Sequence, residues 1–70
     1  MKAWLKWLAN TDYKFTVKHD TEAREYNFGN GLIVVKYESK HGGMIINNGY
    51  TSFHGSVKDL TKNIEEILSK

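Results

Sequence analysis

Hydrophobic positions recur at helical spacing near both ends of the chain and alternate at strand spacing between them. In VKDLTKNIEEILS, residues 57–69, Val57, Leu60, Ile64, Ile67 and Leu68 fall on one stripe, which predicts an amphipathic C-terminal helix. At the start, MKAWLKWLA places Met1, Trp4, Leu5 and Leu8 on one face of a helix over residues 2–9, with Lys2 and Lys6 opposite and Trp7 on the shoulder. So short a helix is unstable alone and is expected to dock through Trp4 and Leu8.

Between the helices the period is two. Tyr13, Phe15, Val17 and His19 alternate with Lys14, Thr16 and Lys18, which predicts a half-buried antiparallel strand over 13–19 with a lysine-bearing outer face. A strand over 24–28 adds Tyr26 and Phe28 to the aromatic face, and Gly29, Asn30 and Gly31 supply the positive φ angles of a hairpin turn. LIVVKYE, residues 32–38, reads as the central strand, with Ile33, Val35 and Tyr37 expected in the core and Leu32 and Val34 on the opposite face. Strands over 44–47 and 50–54 follow, joined by an Asn48–Gly49 turn, and Ser56 is placed to cap the final helix. The expected fold is α+β: one domain over residues 1–70, an antiparallel meander of four to five strands with both helices on its apolar face.

A chain of 70 residues buries only about 60% of the surface it exposes when unfolded, so nearly every large apolar residue is needed for stability. With no cysteine, neither a disulfide framework nor a thiolate metal site is available. The apolar N-terminal patch is interrupted by Lys6, and no run reaches the length of a membrane span, so the expectation is a cytoplasmic protein. Nine lysines against one arginine, six asparagines and no proline are what AT-rich codons yield, pointing to a low-GC bacterium or one of its phages.

The net charge of +2 is mild, and the positive excess lies in the N-terminal half. That excludes an acidic DNA mimic and argues against a protein that coats DNA by phosphate contacts. Lys14 and Lys18, extended by Lys36, would still form a positive stripe on the outer face of the sheet. In this register the stripe has no aromatic ring for base stacking, so nucleic-acid binding is the second expectation rather than the first.

Chemistry is sparse. His19, His41 and His54 form none of the usual metal spacings, no serine sits in a nucleophile elbow, and Glu65 and Glu66 lie on the solvated side of a helix, so neither cofactor, metal nor enzymatic activity is expected. FGNGL and HGGM have neither a phosphate-loop nor a dinucleotide pattern and read as hairpin turns. From Tyr37 to Leu60, GGMIIN, Phe53 and the helix opening SVKDL resemble the closing half of phosphotyrosine-binding SH2 domains. The strand YKFTVK lacks the buried arginine those domains need for phosphate, so that activity is not expected.

What remains is a binding protein acting by stoichiometric contact, expected to be a phage or mobile-element regulator that blocks a larger host protein or complex, such as a defence system. Trp7 is the large aromatic that the helical wheel does not assign to the core, and Lys6 beside it suits an acidic partner. The expected contact residues are Lys6, Trp7, Lys14 and Lys18, with Asn30, His41 and Tyr50 as a second surface. Leu32 and Val34, if outward, mark either a homodimer patch or a face covered by the N-terminal helix.

Overall fold

The computed structural model describes residues 2–69. Helix α1 (Lys2–Asn10) is followed by strands β1 (Thr16–His19), β2 (Ala23–Gly29), β3 (Leu32–Tyr37), β4 (Gly43–Asn47) and β5 (Tyr50–His54), then helix α2 (Val57–Leu68). The five strands form one antiparallel sheet in chain order, β1-β2-β3-β4-β5, because every connection is short enough only for a hairpin. Two of the turns are Asn-Gly pairs with both residues at positive φ, Asn30 (54°) with Gly31 (82°) and Asn48 (51°) with Gly49 (90°), whose twist suits adjacent antiparallel strands.

Both helices lie on one face of the sheet. α2 crosses β4 and β5, and α1 packs beside α2. Ser56 caps α2 by accepting a hydrogen bond from the Asp59 amide at 3.2 Å, and Leu60 and Ile64 are fully buried beneath it. α1 reaches the sheet through aromatic rings: Trp4 meets Tyr26 edge-on at 5.2 Å, and Trp7 stands 6.1 Å from Phe28. Trp4 and Leu8 dock as expected, but Leu5 is 48% exposed, and Trp7 takes the place by the core expected of it. Met1 lies outside the described residues. Tyr13 to Phe15 precede β1 without pairing, and Phe15 still packs its ring on Tyr26 and Phe28.

The expected facing of β3 is reversed. Leu32 and Val34 are buried under the helices with Lys36, while Ile33, Val35 and Tyr37 lie on the uncovered side. The cause is a bulge in β2. Gly29 pairs with Leu32, so a regular hairpin would set Tyr26 against Val35, but Phe28 is an extra residue and Tyr26 pairs with Val34 instead. A one-residue shift turns every side chain of the partner strand over. The Asn27 side chain holds the bulge by accepting a hydrogen bond from the Gly29 amide at 2.8 Å.

Lys36 is therefore withdrawn from the expected outer stripe. It is only 2% exposed, and its Nζ donates to the carbonyls of Lys40 (2.6 Å) and Tyr37 (3.1 Å), tying down the β3–β4 turn. Desolvation holds its pKa below the ordinary lysine value.

Candidate functional site

An antiparallel sheet with helices on one side normally presents a polar row to water on the other. Here the uncovered face is apolar across its middle. Cross-strand pairing aligns Lys18, Glu25, Val35, Met44 and Phe53 in one row, and Thr16, Asn27, Ile33, Ile46 and Thr51 in the next. The β1–β2 side of the face is polar. Over β3, β4 and β5 the same rows become Ile33, Val35, Met44, Ile46 and Phe53, adjacent to one another.

None of these five belongs to the buried core or packs against it, and Phe53 is 59% exposed. Burying such a contiguous patch gains roughly 25 cal/mol per Å² of apolar surface, whereas leaving it wet gains nothing for the fold. Beside it, toward β1, a shallow groove of about 190 Å³ runs between Lys18, Glu25, Asn27 and Ile33. The lysine-bearing face thus does carry aromatic rings: Tyr37, brought there by the reversed facing of β3, and Phe53 opposite Met44.

The residues singled out from the sequence do not converge on one surface. Lys6 and Trp7 lie on α1, over the covered face, whereas Lys18 is on the open one. Trp7 stacks on Trp4 with centroids 5.5 Å apart and donates its Nε1–H to Glu65 Oε2 at 3.2 Å, so this ring is committed within the helix layer. Lys14 is exposed in the segment before β1. Asn30 and Tyr50 sit at the same end of the sheet, where the two Asn-Gly turns meet through a hydrogen bond from the Asn48 amide to the Gly31 carbonyl at 3.0 Å. His41, in the β3–β4 turn, lies at the opposite end.

At the Asn30 end, a groove of about 310 Å³ opens between the turns and the end of α2, with Asn30, Asn47 and Asn48 above Ile67 and Leu68. At the other end, Gly42 and Gly43 are dictated by close approach rather than by an anion. A Cβ on Gly43 would stand 2.6 Å from the Val35 carbonyl, and one on Gly42 would collide with the carbonyl of His54.

The histidines are separated. His19 and His54 lie on opposite edge strands, and among the described residues no three His, Cys, Asp or Glu side chains are grouped to hold a metal ion. A row of Ser52, His54 and Asn63 has a superficial likeness to a nucleophilic triad, since Ser52 Oγ is 3.0 Å from His54 Nε2 and Asn63 Nδ2 is 3.4 Å from His54 Nδ1. Its polarity is wrong for catalysis. Asn63 Nδ2 also donates to the Asp59 carbonyl at 2.8 Å, which orients the amide as a donor toward Nδ1. His54 then carries its proton on Nε2 and donates to Ser52, so it cannot accept the serine proton.

Alternation along β3 places Ile33, Val35 and Tyr37 in the core, and so hides the open face from the sequence. Their signal was present in the runs LIVV and MII, which are apolar at consecutive positions and so supply both faces of the sheet. Among the described residues no helix is long and apolar enough to cross a membrane. Compared with known proteins, the chain matches no family model, no curated protein and no solved structure.

Proposed function

We propose that this is a small non-enzymatic binding protein that acts by stoichiometric protein–protein contact through the open face of its sheet. The observation that carries this reading is the contiguous group of Ile33, Val35, Met44, Ile46 and Phe53 on the side of the sheet that neither helix covers. An apolar centre rimmed by Thr16, Lys18, Glu25 and Asn27 has the make-up of an interface core with a polar edge. A partner on this face would bury on the order of 600 to 800 Å² of each surface.

Small size and a lysine-rich, proline-free composition favour a phage or mobile-element regulator that blocks a larger host protein or complex, such as a defence system. Nucleic acid is the weaker alternative. Lys36 is buried and Lys18 stands opposite Glu25, which leaves little of the positive stripe that phosphate binding draws on.

Affinity capture from a low-GC bacterial lysate, with and without nuclease, tests the reading. Wild type and a Lys14→Glu/Lys18→Glu variant should retain the same protein after nuclease. Met44→Glu, at the centre of the face, should lose it by about 30-fold in affinity, the cost of a hot-spot contact, with an unchanged melting temperature. Capture that disappears on nuclease treatment and in the lysine variant, but survives Met44→Glu, would transfer the function to nucleic acid. Trp7→Ala is unsuitable for this purpose, because it loosens the helix layer.

A further inference from the structure

We infer that the outer edge of β5 is a docking edge for β5 of a second copy of this chain, giving a two-fold dimer with a continuous ten-stranded sheet. β5 is the last strand in the sheet, so one side of its backbone has no neighbouring strand. The Asn48–Gly49 turn determines which groups those are. Residues flanking a two-residue hairpin turn, here Asn47 and Tyr50, exchange both hydrogen bonds, and bonded and non-bonded pairs alternate from there. Tyr50, Ser52 and His54 therefore direct their amides and carbonyls to β4, and Thr51 and Phe53 direct theirs outward.

The side chains of this strand are as unguarded as its backbone. Tyr50 at 83% and Phe53 at 59% are the most exposed of the large hydrophobic residues, and both lie on β5. Edge strands are ordinarily protected by lysine, proline or a bulge. YTSFH contains no Lys, Arg, Asp, Glu or Pro and pairs with β4 without a register shift, whereas the opposite edge, β1, carries Lys18.

The strand is also self-complementary. With a two-fold axis at Ser52, Thr51 of each copy faces Phe53 of the other, and the outward amides and carbonyls close four hydrogen bonds. Moving the axis to Thr51 or Phe53 leaves the other residue facing Gly49 or Gly55, outside the strand. Like charges never meet in this register. The two Phe53 rings become diagonal neighbours on the open face, within reach of one another, and extend the Val35–Met44–Phe53 row across the axis. A contact one strand wide is small for a stable interface, so the dimer is weak and concentration-dependent. The inference does not depend on what the open face binds.

Sedimentation equilibrium from about 10 μM to about 1 mM should show the mass rising from 8.1 kDa toward twice that value. Because the chain has no cysteine, register can be read by cross-linking. Ser52→Cys would bring two sulfurs together at a non-hydrogen-bonded pair, where Cα atoms are about 4.5 Å apart, and should form a covalent dimer readily on oxidation. Thr51→Cys should cross-link far more slowly, since its two copies are offset by two residues. Thr51→Pro removes one outward amide while sparing the bonds to β4, and should weaken association about tenfold or more with an unchanged circular dichroism spectrum. A constant 8.1 kDa across the range, or equal cross-linking of Ser52→Cys and Thr51→Cys, would overturn the proposal.

Discussion

Trp4 and Trp7 lie nearly parallel, 15° between planes with centroids 5.5 Å apart, yet their indole N–H groups have opposite fates. Trp7 donates to Glu65 on α2, while the Trp4 N–H is buried with no acceptor among the described residues. The pair locks α1 to α2 and, through Tyr26 and Phe28, to the sheet.

Truncating the two rings should separate their roles. Trp4→Ala removes a fully buried ring and should cost about 3–5 kcal/mol, enough to unfold most of a domain this small. Trp4→Phe should be far milder, because the N–H it deletes satisfies nothing. Trp7→Ala, at a half-buried site, should cost about 1–2 kcal/mol. Thermal unfolding of the three variants checks the order.

Buried Lys36 predicts an alkaline signature. Its pKa is lowered by desolvation in the folded protein, whereas in the unfolded chain it stays protonated up to the ordinary value of 10.5. Between those two values the unfolded state binds more protons, so this group makes stability rise with pH in that window; below it both states are protonated and the slope vanishes. Denaturant titrations of wild type and Lys36→Met from neutral to alkaline pH should show wild type gaining on the variant only near the upper end.

Glycines at the β3–β4 turn should differ sharply from the one preceding α2. Gly43→Ala drives a Cβ against the Val35 carbonyl and Leu60 and should cost about 1–3 kcal/mol or more, with Gly42→Ala at least as severe. Gly55→Ala meets nothing within 4 Å and should stay within about 0.5 kcal/mol of wild type. Chemical denaturation midpoints distinguish the three.

Ser56→Ala removes the side chain that caps α2 at the Asp59 amide and should lower stability by about 0.5–2 kcal/mol. For a domain of this size each kcal/mol moves the melting temperature by about 4–8 °C, well within calorimetric resolution. Ser56→Asp should restore most of the loss.

Features written in local spacing were legible in the sequence alone. The stripe of α2 and its serine cap, both Asn-Gly turns and the limits of β5 follow from near neighbours in the chain, where rotamer, capping and turn preferences act without tertiary help. The meander follows too, since short connections leave antiparallel neighbours little choice.

Which side of β3 faces the helices was another matter, because Leu32 and Val34 on one side and Ile33 and Val35 on the other are equally apolar. A single extra residue, Phe28, decided it by shifting the register of β2 against β3. That shift buried Lys36 and exposed the candidate interface. The amino-acid order determined the elements and their succession; tertiary packing determined their facing, since facing depends on pairing between strands, and a bulge of one residue inverts it while barely altering local preference.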